Sequence, residues 1–86
     1  MTNVTIRYWA AAKDAAGVAE ESLDADTLAG AIAAALASRG QDPRLRAVLA
    51  RSSFLVDGSA VGRHGAEEVV LPDAAVIEVL PPFAGG

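Results

Sequence analysis

Leu28, Ile32 and Leu36 recur every four residues, with Ala31 and Ala35 beside them. That spacing lays one apolar stripe along an α-helix. Asp26 or Thr27 can cap its start, Arg39 suits its last turn, and Gly40 suits the position just past its end. One main helix over about 27–39 is therefore predicted. Its alanines are small enough for close approach to a sheet.

The rest of the chain supplies that sheet. Val4, Ile6 and Tyr8 alternate with Thr5, Arg7 and Trp9, the period of a strand over 3–9. Ala10 to Gly17 reads as a short helix closed by Gly17, and Val18 to Leu23 as a second strand, weakened by Glu20 and Glu21. After the break at Asp42-Pro43, residues 43–50 form a helical turn carrying Leu45, Val48 and Leu49. Ser53 to Val56 reads as a strand, Asp57-Gly58 as a hairpin turn, and Ala60-Val61 as the start of the return strand. A polar loop (63–68) and a short apolar segment (69–71) lead to the Pro72-Asp73 turn. Residues 75–80 make the last strand, with Val76, Ile77, Val79 and Leu80 as a buried run. The order is β-β-α-β-β with a short final strand, an α+β fold. Its predicted core sets Leu28, Ile32 and Leu36 against Val4, Ile6, Val56, Val76 and Leu80. One domain (1–80) is followed by an extended tail (81–86).

Composition narrows the function. A chain of 86 residues holds one modest core and little room for a deep enclosed site. With no cysteine it has no disulfide, thiolate ligand or side-chain thiol to carry sulfur. Its one histidine, His64 in the polar loop, makes no metal site alone. A net charge of −4 argues against nucleic acid and membrane surfaces; it is read first as serving solubility, with a basic patch on a protein partner as the sharper alternative. No apolar run approaches the ~18 residues of a membrane span, and the N-terminus has no signal-peptide pattern, so a cytoplasmic location is expected. No glycine-rich phosphate-binding motif is present. Glu20-Glu21 and Glu67-Glu68 are read as solvated pairs, Arg44 and Arg46 as a solvated face, and Trp9 as core or sheet-face packing.

The chemistry concentrates at Pro81-Pro82-Phe83-Ala84-Gly85-Gly86. Two prolines favour an extended, stiff segment. Six extended residues reach at most ~20 Å. Ala84 and the glycines can thread a narrow channel, leaving a terminal carboxylate unhindered toward ATP and toward a sulfur nucleophile. Phe83 offers an apolar handle. At a glycine frequency of ~7%, a chance terminal pair is expected in well under ~1% of chains.

These residues resemble a known pattern. Arg7-Tyr8-Trp9-Ala10 followed by Lys13-Asp14, the Leu55-Val56-Asp57-Gly58 hairpin, and Leu71-Pro72-Asp73 leading to Pro81-Pro82-x-x-Gly85-Gly86 are similar to the small subunit of molybdopterin synthase, within the family of ubiquitin-like sulfur carriers. The prolines favour the molybdopterin branch over the thiamin branch. Where the family often has an Asp-Gly-Asp-Glu turn, this chain has Asp73-Ala74-Ala75-Val76.

The resemblance implies a β-grasp fold, a mixed sheet packed on one main helix. It implies that an activating enzyme adenylates the Gly86 carboxylate with ATP and that a persulfide from a sulfurtransferase makes it a thiocarboxylate. The large synthase subunit, in a heterotetramer, then passes the sulfur to a cyclic pterin precursor. The chain itself binds no cofactor and is not catalytic alone. Gly86 is the reacting residue, Gly85 and Ala84 thread the channel, and Phe83, Pro82, Pro81 and Lys13 meet partners. Alternatives are carriers for thiamin or cysteine synthesis, a ubiquitin-like protein modifier, and a plain binding module.

Overall fold

The computed structural model describes residues 2–61 and 65–82. The alternating N-terminal segment forms β1 (Asn3–Tyr8), with Val4, Ile6 and Tyr8 buried. Helix α1 (Ala10–Ala16) stops at Gly17, whose φ of 81° turns the chain and lets its N–H donate to the Lys13 carbonyl. Strand β2 (Glu20–Asp24) returns antiparallel to β1. Helix α2 (Leu28–Ala37) starts where Thr27 Oγ1 accepts the Gly30 N–H at 3.0 Å.

Residues 43–51 exceed the predicted turn and form helix α3 (Pro43–Arg51). Asp42 caps it through the Arg44 N–H at 2.9 Å, and Pro43 fits the first turn, where no backbone donor is needed. Leu45 and Leu49, four residues apart, are buried in the core. Strands β3 (Ser53–Val56) and β4 (Ser59–Ala60) flank Asp57-Gly58, both left-handed at φ 50° and 84°, as a two-residue hairpin requires. A 3-10 turn (Ala66–Glu68) precedes β5 (Val76–Leu80).

The sheet order is β2-β1-β5-β3-β4. β1 and β5 are parallel; the other neighbours are antiparallel. One face carries a single core. Ala12 of α1, Leu28, Ala31, Ala35 and Leu36 of α2, and Leu45 and Leu49 of α3 meet Val4, Ile6, Tyr8, Ile77 and Val79 of the central strands.

Several expectations change. On β5 the buried residues are Ile77 and Val79, while Val76 and Leu80, expected in the core, are half-buried on the opposite face. A strand sends successive side chains to opposite faces, so the four could not all be inside. Ile32 and Val56 are half-buried rather than buried, although both pack against the core. Along α2 the line of closest approach runs through Leu28, Ala31 and Ala35, which leaves Ile32 on its flank. Trp9 is 48% exposed and outside the core. Glu21 is half-buried, not solvated, for the reason given below. His64 lies outside the described residues.

Candidate functional site

Strand β5 lies in the middle of the sheet and leads straight to the tail. Leu80 is its last paired residue, opposite Ser53. Pro81 has no N–H to continue the ladder, so the chain is released from the sheet there. Pro81 is half-buried and Pro82 exposed. The predicted Phe83, Ala84, Gly85 and Gly86 lie outside the described residues. Since β1 runs parallel to β5, with Tyr8 opposite Val79, Trp9 follows on the same edge as the start of the tail. Trp9 is also the residue that opens α1, in an extended conformation that carries on from the strand.

The face of the sheet away from the helices continues from this point. Its residues are given by the register. Thr5 and Arg7 lie on β1, Val76, Glu78 and Leu80 on β5, and Ser53 and Leu55 on β3. Leu55, Val76 and Leu80 are half-buried without packing against the core. They surround Glu78 on this face, with Leu80 at the root of the tail, Leu55 across the ladder, and Val76 about 13 Å away at the start of β5. One row crosses the face from strand to strand: Glu20 opposite Arg7, Arg7 opposite Glu78, Glu78 opposite Leu55, and Leu55 opposite Ala60. Arg7 pairs with Glu20 at 3.6 Å, both side chains about half exposed. Glu78 is half-buried, and its carboxylate makes no hydrogen bond or ion pair among the described residues.

A second polar cluster braces the fold. Glu21 accepts from the Tyr8 hydroxyl at 2.6 Å and from Arg39 at 2.6 Å. Arg39 Nε donates to the Ala16 carbonyl at 2.8 Å, and its guanidinium lies 5.7 Å from the centre of the Tyr8 ring. These contacts tie β1, β2, the end of α1 and the turn after α2 together. Burial, reinforced by the Glu21 hydrogen bond and charge, pushes the Tyr8 phenol far above its ordinary value, although Arg39 opposes this. Every polar group here is partnered within the chain, which marks the cluster as structural.

Of the predicted partner-binding residues, Pro81 and Pro82 stand together at the base of the tail, while Lys13 is exposed on α1, away from the sheet's outer face. Sequence reasoning missed Leu55, Val76, Leu80, Glu78 and Trp9 as a surface. The signal was present at Glu78: one charged residue in the middle of Val76-Ile77-Glu78-Val79-Leu80 assigns 76, 78 and 80 to the outer face and 77 and 79 to the core. Among the described residues no group of His, Cys, Asp or Glu could hold a metal ion, and no helix is long and apolar enough to cross a membrane.

Comparison with known proteins adds to this geometry. The family model described as "ThiS family" matches residues 6–86. No curated protein matches the chain. Among solved structures, small archaeal modifier protein 1 from Methanosarcina acetivorans superposes with a TM-score of 0.83 at 22% identity, covering 100% of this chain and 98% of its own. A putative molybdopterin converting factor subunit 1 from Pyrococcus furiosus gives 0.75 at 20%, covering 96% and 100%. A chain of the complex of subunits 1 and 2 of molybdopterin-converting factor from Helicobacter pylori gives 0.68 at 20%, covering 99% and 100%. These likenesses establish the ubiquitin-like β-grasp fold expected from the sequence.

Proposed function

Because the chain belongs to the ThiS family of ubiquitin-fold sulfur carriers, we propose that its Gly86 carboxylate is adenylated, converted to a thiocarboxylate, and used to donate sulfur in molybdopterin synthesis. The carboxylate attacks ATP and releases pyrophosphate. The terminal sulfur of a sulfurtransferase persulfide then displaces AMP from the acyl-adenylate, and a second thiol takes the remaining sulfur as a disulfide, leaving the thiocarboxylate. A large synthase subunit receives the loaded tail and passes the sulfur to a cyclic pterin precursor. In this reading ATP belongs to the activating enzyme, and the chain contributes a tail and a docking face.

The observation that carries the reading is the junction at Leu80. A central strand, held on both sides by neighbours, ends at two prolines and a Gly-Gly pair. The rigid sheet sets the origin of the tail, the prolines stiffen it, and the glycines keep its end narrow. The pairing of subunits in the Helicobacter pylori complex supports the choice of a large-subunit partner.

The test changes the position of the carboxylate. Deleting Gly86, or adding one residue after it, moves the carboxylate by up to ~3.5 Å. Where rate depends on held geometry, a displacement of about an ångström costs ~10²-fold. With the activating enzyme and ATP, both variants should fold normally yet fail to release pyrophosphate or gain the mass of a sulfur-for-oxygen exchange. Normal sulfur loading of either variant would leave a plain binding module as the better account. A loaded carrier that yields no pterin product with the large subunit would point instead to thiamin or cysteine synthesis, or to protein modification.

A further inference from the structure

We propose that Glu78 is the specificity-determining anchor of the docking face, and that the adenylating enzyme seats an arginine or lysine on it. The choice of partner rests on the sulfur-carrier reading above; the choice of residue rests on the sheet. Glu78 lies at the centre of the outer face, with Val76 and Leu80 two residues away on its own strand and Leu55 across the ladder. Among the described residues, these are the three half-buried apolar residues of that face on β3 and β5 that do not pack against the core. A carboxylate among them stabilises nothing visible in the free protein, since it has no hydrogen bond or ion pair among the described residues.

The charge row explains what would complete it. Arg7 stands between two acids, Glu20 on β2 and Glu78 on β5, and its ion pair is with Glu20. One cation for two carboxylates leaves the row with an unmatched negative charge on the side of these apolar residues. A partner surface that covers Leu55, Val76 and Leu80 also takes Glu78 out of water, which is unfavourable unless a cation meets it. Partners without that cation are therefore rejected as well as unrewarded.

The length of the tail limits the occupant to an enzyme that takes Gly86. Six extended residues from Leu80 reach at most ~20 Å, so an enzyme that takes Gly86 into its own site must stand against the end of β5. The outer face at Leu80 and Glu78 is the sheet surface beside that end. The adenylating enzyme receives the tail first, whichever pathway uses the sulfur later, and is thus the partner in which the cation is expected.

The experiment compares Glu78→Gln and Glu78→Lys with the unaltered chain, using the adenylating enzyme purified from the same cells and ATP. Pyrophosphate release is followed over a range of carrier concentrations and ionic strengths, and thermal unfolding of each free carrier is measured in parallel. Glu78→Gln should raise KM by about tenfold or more with kcat little changed, as expected for loss of a charge paired in an interface. Glu78→Lys should raise it further, and the salt dependence seen with the unaltered chain should flatten in Glu78→Gln. Free Glu78→Gln should unfold within a few degrees of the unaltered chain, which a carboxylate needed by the fold would not allow, and Glu78→Lys, which sets a cation opposite Arg7, should unfold somewhat lower. Turnover of both variants at an unchanged KM would overturn this inference alone. Absence of pyrophosphate release from the unaltered chain would overturn the sulfur-carrier reading and this inference with it.

Discussion

Replacing Ala74 with glycine should stabilise the protein, although glycine usually weakens a fold. Ala74 has φ 65°, in the left-handed region, where it shapes the turn into β5. Its N–H donates to the Asn3 carbonyl at 2.8 Å, and the next N–H, of Ala75, donates to the Pro72 carbonyl at 3.2 Å. The turn therefore joins the start of β1 to the start of β5 through backbone atoms that the substitution leaves in place. The side chain is exposed, so no packing is lost. An L-residue held in this region costs ~1–2 kcal/mol. Glycine removes that strain but adds ~0.4–1 kcal/mol of unfolded-chain entropy. The net gain is about 0–1.6 kcal/mol with a midpoint of about 0.8, which corresponds to about 3–6 °C in Tm for a domain of this size. Ala33→Gly provides the control, since Ala33 is exposed within α2 and the same chemical change there should cost ~0.5–1 kcal/mol. Urea unfolding with equal m values would report both changes as stability differences. Destabilisation of Ala74→Gly to the extent of Ala33→Gly would refute the left-handed turn.

Parity along β5 makes a second comparison: Ile77→Ala should cost ~2–5 kcal/mol in urea unfolding, while Val76→Ala on the outer face should cost less than about 1 kcal/mol. Tyr8 is the only tyrosine, so tyrosinate absorbance reports it alone. The native protein should show none at a pH of about 11, where an unfolded tyrosine has ionised. Since folding favours the neutral phenol, the stability it contributes is present below its ordinary pKa of 10.0 and falls as pH rises beyond that value, and Tyr8→Phe should remove this alkaline loss. Replacing Phe83 with Asp should weaken binding to the large synthase subunit, measured by calorimetry, without changing Tm; unchanged affinity would put the grip on the sheet face.

Most local structure was legible because it depends on neighbours in sequence. The Leu28-Ile32-Leu36 spacing, the Thr27 cap, the Asp57-Gly58 hairpin and the Gly17 stop each carry their own physical signal, and each forms its expected element. Helix α3 is announced in the sequence only by Asp42, Pro43 and the Leu45/Leu49 pair, and its helical length depends on burying those leucines. Glu21 shows the same limit from the other side. Adjacent to Glu20, it looks solvated. Yet β2 turns the pair to opposite faces, so one meets Arg7 and the other meets Tyr8 and Arg39, the latter 18 positions further along the chain.

Most element types, the single core, the absence of a side-chain thiol, and the Pro-Pro and Gly-Gly tail on which the functional reading stands can be read from the residues in their order along the chain. These are local or compositional properties, available without knowing which strands are neighbours. Only the packed sheet places β5 between β1 and β3, turns Ala74 left-handed without glycine, and brings Leu55, Val76, Leu80 and Glu78 onto one outer face. Strand order and register join residues far apart in the chain. Only when β1, β5 and β3 align do Arg7, Glu78 and Leu55 form a row, because a ladder places side chains by pairing rather than by position in the sequence.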